Sequence, residues 1–441
     1  MKFFYSEALR KNLNRDFALE EDFFLVSAGD VLMIFLLFWL WIVVLNRIFK
    51  LHEKGVSVAP GFLMIRTQRV NQFIDRCAEK LRGTWKKIWD LAIILGFLFM
   101  FLAFFVFFSN LFAFIYTPKQ AAPVAPIIPG ITISLASLPY FFIAVAVVII
   151  VHELSHGVAA RTEDVEIKSA GFLLFLFIPG GFVEPEEESL NKAPLRSRAR
   201  IYAAGTMPNI TMSFALIVVL LNFSLFIAPM WGGPQGVMLT GVRDESPAEI
   251  GGLENGDIIE KVTIYNNYSQ YVSELDGNSS KVKDMTDLFD ALEDTKPNNT
   301  VVFAIKERGN IPVNVSEPPE ELKESFEARD LEGYIGISYT TYYPPKDFTK
   351  TIFGNQSKWL PFHLTQLVVW LWLLSFIIAL VNLLPIPPFD GYKLLGVTLE
   401  WKFGATPKTQ TITRIIGIIA ALLLILNLTL SYIISGWTIL F

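Results

Sequence analysis

The sequence predicts an α-helical polytopic membrane protein of about six transmembrane helices, interrupted by one α+β soluble domain. Three observations predict it. Apolar runs long enough to cross a bilayer recur along the chain. Only 18% of the 441 residues are charged while 52% are hydrophobic, against about 25% charged in an ordinary soluble domain. One long stretch, residues 233–340, breaks the pattern with short apolar runs rich in Asp, Glu, Asn and Gly.

A membrane helix takes roughly 20 mostly apolar residues. Segments at about 31–49, 91–116, 131–159, 201–229, 359–384 and 412–434 meet that length. Lys and Arg mark the cytoplasmic loops. The loop after the first segment carries Arg47, Lys50, Lys54, Arg66, Arg69, Arg76, Lys80, Arg82, Lys86 and Lys87, and is expected inside. The stretch 160–200 holds Arg161, Lys168, Lys192, Arg196, Arg198 and Arg200, and 385–411 holds Lys393, Lys402 and Lys408; both fit the same side. Both chain ends and the acid-rich stretch are then expected outside. Amphipathic sequence near 60–90 is expected on the inner membrane surface. The N-terminal "MKFFYSEALRKNLNRDFALEEDFF" lacks the apolar core of a signal peptide and reads as mature sequence. A net charge of −5 offers no basic surplus, so nucleic acid is not expected as a partner. The single cysteine, Cys77, permits neither an internal disulfide nor a cysteine metal cluster.

Within 233–340, "GVMLTGVRDESPAEIGGLENGDIIEKV" predicts strand, short helix and strand. "KDMTDLFDALE" carries helical spacing, and "NNTVVFAIKERGNIPVNV" predicts a hairpin turning at Arg308-Gly309-Asn310. Ser246-Pro247-Ala248, Gly252-Leu253 and Gly256-Asp257-Ile258-Ile259 make this stretch resemble a PDZ domain. The resemblance implies peptide capture by strand addition. "YNNYSQYVSELDGNSS" reads as an insertion in it.

The apolar run "AVAVVIIVHELSHGVAA" contains His152, Glu153 and His156. Residues four apart share a helix face, so both imidazoles can hold one ion, with Glu153 placed to act on a bound water. Ionisable side chains inside a span are functional by default. Catalytic zinc takes three protein ligands and leaves one position open. His363 begins the fifth span at its outer end and is a poor third ligand; His52 reads as a loop residue. In "VNLLPIPPFDGYKLL", Pro385, Pro387 and Pro388 end that span and set Asp390 near the inner face, beside His152 and His156 in depth. Asp390 is the expected third ligand to a single Zn2+.

These residues resemble the site-2 proteases, intramembrane zinc metalloproteases. His152-Glu153-Leu154-Ser155-His156 matches the zinc-helix motif. Asn382-Leu383-Leu384-Pro385 through Asp390-Gly391 matches the motif ending in the Asp-Gly ligand. Gly205 and Asn209 in "AAGTMPNITMSFAL" match a Gly…Asn motif, with Pro208 directly before Asn209 as a departure. "GFLLFLFIPGGFVEP" resembles the loop that follows the zinc helix. The resemblance covers roughly 131–229 and 359–396. It implies that Glu153 is the catalytic base, and that Asn209, Asn382 and Gly181 contact substrate. It further implies a membrane-embedded protein substrate, with a peptide segment on the PDZ-like domain. The expected division is an accessory region 1–130, core halves 131–229 and 346–441, and an extracytoplasmic domain 230–345 between them. Two other readings compete: a prenyl-type membrane zinc protease using Glu400 as third ligand, and a peptide-capturing adaptor that does not cleave.

Overall fold

The computed structural model describes residues 28–51, 55–128, 132–176, 178–273, 277–293, 295–319 and 333–435. His52, Lys54 and the N-terminal 27 residues lie outside them. Five helices among the described residues are long and apolar enough to span a membrane: Arg82–Tyr116, Leu135–Thr162, Leu195–Leu221, Leu360–Asn382 and Pro407–Ile434. The first predicted span falls in helix Ala28–Phe49, whose described apolar part is the shorter Phe35–Phe49.

The boundaries follow local chemistry. Helix Leu138–Thr162 starts with Pro139 in its first turn, where the missing N–H costs nothing, and Arg161 sits in its last turn. The predicted span 201–229 begins instead at Leu195 and divides at Gly205, into Leu195–Ala204 and Thr206–Leu221. Pro208, three residues past the break, lies in a first turn that can spare its N–H. The Thr206 hydroxyl donates to the Ala203 carbonyl at 2.9 Å across the break. Helix Leu360–Asn382 stops before Pro385, and a new helix, Asp390–Phe403, opens on the proposed ligand.

The basic loop, unassigned in the sequence, contributes structure. Strands β1 (Val56–Ala59) and β2 (Phe62–Arg66) pair with β3 (Ile167–Phe175), which pairs with β4 (Ile178–Pro185). All are antiparallel, in the order β1-β2-β3-β4. Helix Gln68–Lys80 buries Ile74 completely, and a β-carbon on Gly157 of the zinc-motif helix would meet Ile74 at 2.7 Å. Tight helix approach at Gly157 thus fixes this accessory helix to the core. Arg200 joins three elements at one end of the bundle: its guanidinium pairs with Asp90 at 2.7 Å and Glu163 at 2.9 Å.

The described strands between residues 237 and 341 form a separate sheet. Strands β5 (Val237–Val242), β6 (Ile258–Tyr265), β7 (Asn278–Lys281), β8 (Thr300–Ile305), β9 (Gly309–Asn314) and β10 (Ile337–Thr341) assemble in the order β10-β5-β6-β8-β9, with β7 also on β6. The predicted helices appear at Pro247–Ile250 and Met285–Leu292, and the predicted hairpin joins β8 to β9. Val237, Leu239, Ile259, Leu288, Val301, Phe303 and Val313 make its core. The insertion is itself structured, as helix Tyr268–Val272 and strand β7. Arg308 and Asp257 pair at 2.6 Å, tying the hairpin turn to the start of β6.

Candidate metal centre

His152 and His156 stand one turn apart on helix Leu138–Thr162 and turn both Nε2 atoms toward Asp390 at the head of helix Asp390–Phe403. Asp390 Oδ2 lies 3.2 Å from His152 Nε2 and 2.9 Å from His156 Nε2, and the two Nε2 atoms are 3.2 Å apart. Tetrahedral zinc with bonds of ~2.0–2.1 Å spaces its donors about 3.3 Å apart. The three donors therefore already stand near coordination spacing, although they are 234 residues or more apart between helices.

Two glycines make this convergence possible. A β-carbon on Gly205 would lie 2.2 Å from His156 Nε2 and 2.6 Å from His152 Nε2. Both separations are well inside contact distance, so only glycine leaves room against the two donor nitrogens. A β-carbon on Gly391 would lie 2.2 Å from the Leu383 carbonyl oxygen, so only glycine lets the ligand helix approach the end of Leu360–Asn382 this closely. The donor set, its spacing and the gap fit a divalent ion such as zinc.

The second layer is equally specific. His156 Nδ1 lies 2.7 Å from the Ile201 carbonyl, one of the last four of its helix and freed by the break at Gly205. A ligand histidine is held in just this way, by a carbonyl on its other nitrogen. Asn382 donates from Nδ2 to Asp390 Oδ2 at 2.8 Å, and the same nitrogen lies 3.1 Å from His152 Nε2. Asn209 is fully buried with its amide 3.2 Å from His152 Nδ1. Glu153 accepts from the Val183 N–H at 3.1 Å, and a β-carbon on Gly181 would lie 3.7 Å from the Glu153 side chain. The motif residues from four separate chain segments thus meet at one place.

Other candidates lie apart. His363 Nδ1 is 2.5 Å from the Tyr140 hydroxyl. Glu400 faces Arg198 at 3.4 Å and does not join the three donors. Sequence reasoning missed the Ile201 carbonyl and the steric role of Gly205. A signal was present: Ile201, Gly205 and Asn209 recur every four residues, the same interval that separates His152 from His156.

A bundle of membrane-length helices holding an HExxH pair and a distant carboxylate defines a membrane metallopeptidase scaffold. The chain matches the family model "Peptidase family M50" over residues 140–426 and belongs to that family, the family of the site-2 proteases. An uncharacterized protein of Methanocaldococcus jannaschii is 27% identical over 284 residues, 62% of this chain and 60% of that protein. A membrane-bound transcription factor site-2 protease homolog of Arabidopsis thaliana is 25% identical over 145 residues, 33% of this chain and 28% of that one. The regulator of sigma-W protease RasP of Bacillus subtilis is 25% identical over 299 residues, 58% of this chain and 64% of that one. The aligned stretch spans less than two thirds of the length of each relative.

Proposed function

We propose that the chain is an intramembrane zinc metalloprotease, hydrolysing peptide bonds in or near transmembrane helices of membrane-embedded proteins, in regulated intramembrane proteolysis. The observation that carries this reading is the convergence of His152, His156 and Asp390 at coordination spacing, around the gap at Gly205, inside the helical bundle. A zinc ion held by these three residues would activate a water and polarise the scissile carbonyl. Glu153 accepts the water's proton as it attacks and returns it to the leaving nitrogen. Asn382, whose amide already points at the donor cluster, is placed to donate to the developing oxyanion.

A helical peptide bond is covered by its own turn, so the substrate must be unwound first. Strand β4 is suited to receive it, because it ends the four-stranded sheet and no other described strand pairs with its outer edge. In its register with β3, Pro179, Gly181 and Val183 share the outward-facing parity. The outer edge therefore offers the backbone groups of Gly181 and the carbonyl of Val183, whose N–H already donates to Glu153, while Pro179 withholds an N–H at one end. An unwound substrate strand pairing there would satisfy its freed amides beside the base.

The division at 1–130, 131–229, 230–345 and 346–441 belongs to the same reading, with 230–345 a PDZ-like domain outside that screens the outer part of the substrate. His152 and His156 lie in the C-terminal half of Leu138–Thr162, and Asp390 comes shortly after the C-terminal end of Leu360–Asn382, while residues 230–345 connect the opposite ends, Leu221 and Leu360. Lys and Arg near the donor end favour the cytoplasmic side for the metal. Glu400 is occupied by Arg198, which favours Asp390 over the prenyl-type arrangement.

The test uses purified full-length protein with a model membrane substrate. Glu153→Gln is expected to keep the metal and lose about 10²–10⁴-fold in cleavage rate. Unchanged cleavage by the Gln variant refutes the mechanism.

A further inference from the structure

The orientation of one buried amide assigns a role to Asn209. Asn209 Nδ2 stands 3.2 Å from His152 Nδ1, while Asn209 Oδ1 is buried without a hydrogen-bond partner. A buried carbonyl oxygen left unpaired costs about 1–3 kcal/mol. An amide's oxygen and nitrogen are told apart only by their partners, so the question is which atom the ring requires.

The opposite side of the ring answers it. The Asn382 amide is fixed in direction, because a carboxylate oxygen only accepts: its Nδ2 must donate to Asp390 Oδ2, 2.8 Å away. The Asp390 backbone N–H also points at Asn382 Oδ1, at 3.4 Å. His152 Nε2 faces both Asn382 Nδ2, at 3.1 Å, and Asp390 Oδ2, at 3.2 Å, so its protein contacts do not fix its proton; the metal-site reading does, because Nε2 serves an ion only as the bare, accepting nitrogen. A neutral imidazole carries one proton, which then sits on Nδ1. Facing Nδ1–H with an NH2 group sets two donors against each other. A half-turn of the Asn209 amide removes the clash and pairs the orphaned oxygen in one step.

We propose that Asn209 is a positioning residue for His152: its amide oxygen accepts from Nδ1–H, which holds the ring in the tautomer that presents Nε2 to the metal. The inference rests on the metal-site reading above and deepens it. Asn209 then does for His152 what the Ile201 carbonyl does for His156, at 2.7 Å. The spacing explains the motif. Ile201, Gly205 and Asn209 follow one face, and supply in turn a carbonyl for one histidine, room for the ion, and an acceptor for the other histidine. Asn209 is completely buried, and its amide meets the ring nitrogen that does not face the donor cluster.

The test compares full-length wild type, Asn209→Leu and Asn209→Asp in detergent, with two readouts. Zinc dissociation constants come from chelator competition. Tautomers come from 15N spectra of histidine-labelled, metal-free protein at alkaline pH. Leu keeps the volume and removes the acceptor, and is expected to weaken zinc binding 10–100-fold and to lose the Nδ1–H form of His152. Asp keeps an accepting oxygen, and is expected to restore both within a few-fold. A wild-type spectrum with the His152 proton on Nε2 overturns the proposal, as does Leu with unchanged affinity and tautomer, or equal weakening by Leu and Asp. Should the Leu variant not fold, the wild-type spectrum decides alone. Wild type that lacks zinc affinity yet shows Nδ1–H on His152 refutes the metal-site reading and leaves the orientation standing.

Discussion

Replacing Gly205 by Ala is the sharpest perturbation of the candidate centre, because one methyl group competes directly with the ion. The added β-carbon would lie 2.2 Å from His156 Nε2 and 2.6 Å from His152 Nε2. Carbon and nitrogen in contact need about 3.4 Å or more, so at least one ring or helix must retreat by roughly 1 Å. A metal site tolerates about 0.2 Å of error in its ligand distances. The retreat is therefore several times the tolerance, while its cost to the fold is that of ordinary overpacking, about 1–3 kcal/mol. Metal is expected to be lost before the fold is. The assay is metal content by elemental mass spectrometry on detergent-purified protein, alongside circular dichroism for helix content. Gly181→Ala is the control: its new β-carbon would make ordinary contact with Glu153 at 3.7 Å, and that variant is expected to keep its metal. A Gly205→Ala protein that binds stoichiometric zinc as wild type does would refute the assignment of that gap to the ion.

The remaining predictions address the ligand, the scaffold and the inserted domain. Asp390→Ala is expected to lose zinc while Glu400→Ala keeps it, since Glu400 pairs with Arg198 instead; metal content of the two variants decides between the two protease classes. Arg200→Met leaves Glu163, with a side chain only 4% exposed, without its cation, and is expected to cost on the order of 3 kcal/mol, seen as a lower thermal unfolding midpoint. Lys192→Met breaks only the exposed pair with Glu188 and is expected to change stability by less than about 1 kcal/mol. Phe303→Ala, in the core of the 237–341 sheet, is expected to cost about 3–5 kcal/mol and to leave zinc content unchanged. Loss of zinc in that variant would mean that the sheet and the metal centre unfold together.

Much of this protein is legible in the order of its residues, because its strongest constraints are local. Apolar runs must be about as long as the bilayer is thick, and five of the expected spans recur as helices of membrane length. The i, i+4 interval places His152 and His156 together whatever surrounds them. Turn glycines and alternating apolar residues gave the hairpin and strands of the inserted sheet their positions. Other features depend on partners distant in sequence, and only the fold supplies them. The strands at 56–66 carry too little periodic signal to stand alone and are organised by β3. Ile74 is buried because Gly157 admits it, not because its own helix demands it. Gly205 reads as a mere helix break until the two imidazoles are set against it, and Asn209 as a polar residue in a span until its amide meets a ring 57 positions away. Sequence spacing thus determined which donors exist and which pair shares a face. Tertiary packing decided where the carboxylate joins them, what leaves room for the ion and which nitrogens face it, because those depend on ångström-scale approach between helices that no local pattern encodes.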